Sequence, residues 1–480
     1  MKKIFYKITV LALIIGGFTS CDSELDQVPF DEFGTENAYV TAADFENAIR
    51  GVYASLTFGE FYGGSDQGGM IDAPDVLSDN VTFAQKGRGT RRTLHNWRYG
   101  ASDEPLGGLY ERAYQLIYRA NIVLSKVETF EGENKANIIA EAKALRALAH
   151  FDLVSFFGKI PTQSNDANGS LGIAYLTEPD PLVEPARETV GAVYDKVVVD
   201  LKDAAANIND DNGAGRMGKD AVNILLSRVY LYMGQWQNSI DAANAVTTPI
   251  APRDQVVGVW EDSNQAGLTF YIPVEPPILS NSIGVTWSQG GDNSLIPEYV
   301  VSFQLYNLFA DDDIRKDAYT FQATNPNNGN PLSFNAIKKL YKRDGGAPGR
   351  VDIKIFRAAE ASMNKAEAYF NLGLEGQART ALDAVRTKRY LTPPSGETGT
   401  ALRDAIRLER RLEFAFEYQR FFDLKRWGLS VERGGFGDLA DGTGTPSDQQ
   451  SLPAGSNKFQ LPIPQTALDL NPNLVQNPGY

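Results

Sequence analysis

Apolar positions recur at helical spacing through most of the chain. Phe45, Ile49, Val52 and Leu56 form one stripe over Thr41 to Leu56, and the period returns at Leu109 to Val127, Ile138 to Phe157 and Thr189 to Ile208. Gly158 and Pro161 close the third of these segments. Two later stretches share a finer pattern. AVNILLSRVYLYMGQWQNSIDAANAV carries Tyr230, Gly234, Ser239, Ala243 and Val246, and AEASMNKAEAYFNLGLEGQARTALDAV carries Tyr369, Gly373, Ala378, Leu382 and Val385 at the same offsets. This is the spacing of tetratricopeptide helical hairpins. The glycine permits a left-handed turn after the first helix, and the small residue five places on lets the second helix approach closely. Such hairpins bury their open faces on one another, so a helical layer is predicted.

Two long segments lack the period. Phe58 to Gly100 is broken by repeated glycines and mixes Phe61, Tyr62, Trp97 and Tyr99 with four arginines, a length that points to function rather than connection. Pro249 to Asp352 is rich in proline and aromatics, with β-like runs such as LTFYIPV at Leu268 to Val274. The fold class is therefore mainly α: tetratricopeptide-like helical hairpins in a layer, with an irregular loop-rich subdomain carrying short strands. Within the second segment ADDDIRKDAY lacks the glycine and terminal glutamate of an EF-hand, so it reads as a turn with solvated charges.

The most heavily patterned stretch is Leu402 to Trp427, LRDAIRLERRLEFAFEYQRFFDLKRW. At helical spacing Leu408, Leu412, Ala415 and Phe416 form one stripe and Phe414, Tyr418, Phe421 and Phe422 another, so a single helix buried on two faces is predicted. Its charges, from Glu409 to Arg426, tolerate burial only in pairs. Glu417 with Arg420 and Asp423 with Arg426 are available locally, and the rest require partners elsewhere. A structural ion-pair helix is favoured over a catalytic carboxylate site, because ion-pair networks also cluster charges.

ERRLEFAFEYQRFFDLKRW resembles the signature helix of the SusD/RagB family, and LPIP at Leu461 to Pro464 with NPNLVQNPGY at Asn471 to Tyr480 resembles its closing motif. GLYERAYQLIYRANIVLSKV and EAKALRALAHFDLVSFFGKIP are also similar to helices of that family. Ala467 stands where the family usually has an acidic residue. The resemblance implies one SusD-like domain over 21–480: a helical repeat frame at about 104–247 and 353–428, irregular ligand-binding segments at about 58–100 and 249–352, and a tail at 456–480. It further implies a surface lipoprotein that captures a nutrient, most often a glycan, for a TonB-dependent (SusC-like) outer-membrane transporter.

Composition narrows the alternatives. The 480 residues carry a formal net charge of −14, a field that repels phosphate backbones and excludes nucleic acid as partner. The one cysteine excludes an internal disulfide, and two histidines, His95 and His150, leave little for a metal site; both read as structural, and no metal or cofactor is expected. MKKIFYK, ITVLALII and GGFTSC supply the charged, apolar and small-residue regions of an export signal over residues 1–20, too short to span a bilayer. Cys21 at its end resembles a lipobox cysteine, although Phe18 replaces the usual aliphatic residue. Acylation there implies an outer-membrane anchor, and in the resembled family an acidic tract such as Asp22, Glu24 and Asp26 accompanies exposure at the cell exterior.

The function expected is glycan binding without catalysis. Pyranose rings offer apolar faces that suit aromatic platforms, while polar groups satisfy the hydroxyls. Alternatives are a glycoside hydrolase with paired carboxylates or a peptide-binding uptake lipoprotein. Trp236 and Trp427 are assigned to packing, one in a hairpin and one at the end of the charged stretch. Of the other tryptophans, Trp287 has polar, glycine-rich flanks and is the first candidate for a stacking surface, followed by Trp97 and Tyr99, then Trp260 and Tyr271.

Overall fold

A computed structural model describes residues 38–64, 69–274, 283–289, 295–325 and 331–480. The export segment 1–20, Cys21 and the acidic residues after it lie outside the described residues. Helix α1 (Ala42–Ala54) begins at Thr41, whose hydroxyl accepts the Asp44 N–H while the Asp44 carboxylate accepts the Thr41 N–H at 2.7 Å, a capping box. The stripe of Phe45, Ile49 and Val52 faces inward. Helices α2 (Gly107–Lys126), α3 (Lys135–Phe157) and α4 (Val190–Asn207) stand where the period places them. Helix α3 lies between α2 and α4 and is buried almost all round, its alanines letting neighbours close in. Its buried Arg146 holds Asp200 at 2.8 Å, so the polar cost is met within the layer.

The repeat pairs α5 (Lys219–Tyr232) with α6 (Trp236–Asn244) and α7 (Ala358–Asn371) with α8 (Glu375–Arg386). Gly234 and Gly373 turn with φ of 70° and 75°, and Ser239 and Ala378 are fully buried where the helices meet. Each hairpin is pinned by a serine: Ser227 Oγ donates to the Ser239 carbonyl and Ser362 Oγ to that of Ala381, both at 2.9 Å. Helix α7 packs on both α5 and α6, so the two hairpins stack although a long irregular stretch separates them in sequence.

Short antiparallel ribbons make up the regular β structure of the irregular segments. Strand β1 (Val81–Phe83) pairs with β3 (Tyr299–Val301), β2 (Leu268–Ile272) with β6 (Ile353–Arg357), and β4 (Thr320–Asn325) with β5 (Leu332–Ile337). Strand β6 is wholly buried and runs straight into α7, tying the second hairpin to the β2 segment. The fold is mainly α with short strand pairs, as predicted.

The charged stretch departs from the prediction. It is two helices, α9 (Gly399–Glu413) and α10 (Arg420–Arg426), because Phe416 and Tyr418 adopt left-handed backbone with φ of 62° and 54°. That conformation costs a non-glycine residue about 1–2 kcal/mol. The buried Asp75 carboxylate offsets it by accepting the Phe416 and Tyr418 N–H groups at 3.2 and 3.1 Å. Burial pushes the Asp75 pKa up to about 6, against the pull of Asn80 and these two N–H groups. The break buries both aromatic rings, whereas Leu408, expected on a buried stripe, is exposed.

Partners for the charges come from far along the chain. Glu413 takes Arg389, Arg357 and Arg315 at 2.7, 2.9 and 3.3 Å; Arg420 and Arg411 take Asp79 at 2.8 and 3.3 Å. Asp423 with Arg426, at 2.8 Å, is local as expected, while Glu417 turns from Arg420 to Arg357 and Lys339. Two expectations are corrected here. Met70 to Ala84, read as part of a functional loop, is interior because Asp75, Asp79 and Asn80 serve this network. In ADDDIRKDAY only part is solvated: Arg315 and Asp313 form a fully buried pair at 2.8 Å.

Candidate functional site

Four of the five aromatic candidates are core residues, for separate reasons. Trp287 is 1% exposed and packs edge-on against Tyr299 and Phe416, with centroids at 6.2 and 6.3 Å. Its flanks Thr286, Ser288 and Gln289 belong to a 3-10 turn and a two-residue strand, and the indole faces inward beneath Phe416. Trp97 Nε1 donates to the Leu77 carbonyl at 3.0 Å, and the Arg433 guanidinium covers the ring at 4.0 Å. Tyr99 donates to the Lys458 carbonyl at 2.6 Å and stacks on Tyr480, which ties the tail to the frame. Trp260 covers buried cations, with Lys339 at 4.5 Å and Arg357 at 5.5 Å from its ring. A ring enclosed in this way has no face for a ligand. Tyr271 is half-buried on β2 and lines a cavity of 370 Å³ with Asp210, Asp211 and Arg216.

The histidines are also accounted for. His95 sits between the Val76 carbonyl and Ser447, at 2.9 and 3.0 Å, and His150 stacks on Tyr175 at 3.8 Å. Burial pushes both imidazole pKa values well down, which keeps the rings neutral.

Trp236 packs against the core as expected, and both tryptophans assigned to packing also border an open cavity. A cavity of 610 Å³ is walled by the 161–168 loop after α3, the start of α6, the end of α7, helix α9 and the end of α10. Trp236 and Trp427 line it, and both are half-buried. Trp236 is the first residue of α6, beyond the left-handed Gly234. Trp427 is held by a hydrogen bond from Nε1 to Glu367 Oε1 at 2.8 Å, with the Arg426 and Arg407 guanidiniums 4.7 and 4.9 Å from its ring. Gln163, Asn165, Asn168 and Asn371 contribute amides to the lining.

Glu367 is the carboxylate of this lining, and it is fully engaged. Arg426 holds it at 2.6 Å and Trp427 at 2.8 Å. Burial pushes its pKa up, but Arg426 and Arg410 outweigh burial and bring it below the usual carboxylate value. A carboxylate so held remains ionised and donates no proton. The lining offers flat apolar faces bordered by amide and guanidinium groups, a surface suited to recognition. The sequence did hold a signal for Trp236, since Gln235, Gln237 and Asn238 flank it as polar residues flank Trp287. Only the cavity distinguishes the two.

Comparison with known proteins extends the picture to the whole chain. Residues 299–480 match the family model described as SusD family, and residues 32–231 match one described as starch-binding, associating with the outer membrane. A SusD-like protein of Formosa agariphila is 27% identical over the full length of both chains. The starch-binding protein SusD of Bacteroides thetaiotaomicron is 22% identical, with 100% of this chain and 99% of that one covered. Among solved structures, a SusD superfamily protein from Bacteroides thetaiotaomicron superposes with a TM-score of 0.79 at 26% identity, covering 92% of this chain and 100% of its own. A protein from Bacteroides vulgatus described as a putative sugar-binding protein shares the fold, with a TM-score of 0.81 at 23% identity and coverage of 92% and 99%.

Proposed function

Because this chain belongs to the SusD/RagB family, we propose that it captures an oligosaccharide or polysaccharide at the cell surface and passes it to a partner TonB-dependent outer-membrane transporter. The family description and the named starch-binding relative concern binding. The observation that carries the reading is the 610 Å³ cavity, in which two half-exposed indoles stand among amides and guanidiniums. Sugar rings present apolar C–H faces to indoles and hydroxyls to amides, so the lining matches both halves of a pyranose. Acyl chains on Cys21 hold the protein at the outer membrane in this reading.

A glycan array probed with the soluble form lacking residues 1–21 tests the capture step. Titration of the best ligand then tests the site. Trp236→Ala should weaken binding by roughly tenfold to a hundredfold, the range of a stacking anchor, in a protein that still folds, its midpoint lowered only by the lost packing of a half-buried ring. An array without a single binder would overturn the reading, and undiminished affinity would move the site elsewhere. For the anchor, Cys21→Ala should release a folded protein from the membrane fraction. Retention as tight as the parent's, in cells lacking the transporter, would remove Cys21 from the account.

A further inference from the structure

The lining of the cavity beside Trp236 and Trp427 holds more cations than anions, the reverse of the balance of the whole chain. The formal net charge is −14, yet the ionisable groups of this lining are three arginines, Arg403, Arg407 and Arg426, against one carboxylate, Glu367. The cavity beside Tyr271 has Asp210, Asp211 and Asp220 with Arg216, and the one beside Tyr99 has Glu60, Asp103 and Glu104 with Arg91. A local field of the opposite sign survives in a cleft because low-dielectric walls focus it.

The three guanidiniums are not equivalent. Arg426 is occupied by Glu367 and Asp423. Among the described residues Arg403 reaches only its neighbour Asp404, at 2.9 Å, where both side chains are exposed and water competes for the pair. The side chain of Arg407 makes no hydrogen bond or ion pair among the described residues, and rests over the Trp427 ring at 4.9 Å. Its neighbours in the same two helices, Arg410, Arg411, Arg420 and Arg426, each hold a carboxylate. Half-burial pushes the Arg407 pKa down, the sign of a cation withdrawn from water without full compensation.

We infer that this cavity binds an acidic sugar residue, with Arg407 and Arg403 taking its anionic group and Trp236 its ring face. The inference rests on the glycan-capture reading and narrows its substrate class. The anion is a ring carboxylate or a sulfate ester, both of which the planar guanidinium fork meets with two parallel hydrogen bonds. An acidic sugar satisfies the guanidinium and the indole together, because its charge is fixed to a ring that has an apolar face. An acidic peptide side chain brings the charge without the face.

Matched ligand pairs test this by titration calorimetry on the soluble form lacking residues 1–21. The probes are an oligogalacturonide with its carboxyl-reduced counterpart, a sulfated galactan oligosaccharide with its desulfated counterpart, neutral gluco- and xylo-oligosaccharides, and hexaglutamate. One acidic member should bind about tenfold or more tightly than its neutral counterpart, with affinity falling as salt is added. Arg407→Gln should erase that preference without moving the unfolding midpoint, and Arg407→Lys should restore part of it. Should Arg407→Gln unfold, the surface variant Arg403→Gln gives the same reading in smaller measure. Which pair shows the preference separates carboxylate from sulfate. Neutral glycans binding with no acidic preference would overturn the inference and leave capture standing, whereas silence from every glycan would count against capture itself. Acidic preference that survives both arginine variants would refute the site, and binding of hexaglutamate alone would replace the sugar with an acidic peptide.

Discussion

Glu413→Gln is the sharpest test of how the frame holds together. The Glu413 carboxylate is fully buried and accepts from Arg389 at 2.7 and 2.8 Å, from Arg357 at 2.9 Å and from Arg315 at 3.3 Å. Arg315 keeps Asp313 and Glu409, at 2.8 and 2.6 Å, and Arg357 keeps Glu417 at 2.7 Å. Among the described residues Arg389 keeps only the backbone carbonyls of Ala251 and Lys388, both at 3.0 Å. The variant therefore strands one buried guanidinium, and removal of one partner from a buried pair costs about 3–5 kcal/mol. The exposed pair Lys135 with Glu131, at 3.3 Å, supplies the control, where Glu131→Gln should cost less than about 0.5 kcal/mol.

The assay is denaturant unfolding at neutral pH, comparing midpoints at equal slope. A Glu413→Gln loss within about 1 kcal/mol of the control would refute the claim that this carboxylate holds the arginines. Acid gives a second reading. Burial raises the Glu413 pKa, but Arg389 and Arg357 outweigh burial and hold it well below the usual glutamate value of 4.5. A depressed carboxylate contributes stability above its unfolded pKa and loses it as pH falls through the folded one. The gap between parent and variant should thus persist at neutral pH and close only well below 4.5.

Burial pushes Asp152 up to about 7 from 3.8 against the pull of the Tyr62 hydroxyl, so its favourable contribution is complete below 3.8 and fades as pH rises through 7. Asp152→Asn should flatten the unfolding midpoint across that window, and a parent-like slope would show another group responsible. Gly373→Ala meets no atom within 4 Å and should cost only the left-handed penalty of about 1–2 kcal/mol. Gly234→Ala, whose Cβ lies 3.2 Å from Thr162 and 3.6 Å from the Trp236 ring, should cost more and disturb glycan binding; equal costs by calorimetry would contradict the packing. Trp287→Ala should cost about 3–5 kcal/mol as a core deletion with ligand affinity unmoved, and the reverse pattern in paired unfolding and titration would restore it as a platform.

Much of the frame was legible in the sequence because its signals are local. Helical period records which face of a segment avoids water, and Gly234 and Gly373 mark turns that few other residues tolerate. The need to pair the charges from Glu409 to Arg426 also follows from composition alone. The identity of the partners does not, since Asp75 and Asp79 arrive from more than 300 positions away in sequence. The same contact bends the backbone at Phe416 and Tyr418 against their intrinsic preference, so the two-helix form belongs to the tertiary structure. Side-chain direction in the irregular segments behaves likewise. Trp287 and Trp236 share polar flanks, yet one lies beneath Phe416 and the other borders a cavity, because burial depends on what packs above a residue rather than on what stands beside it in the chain.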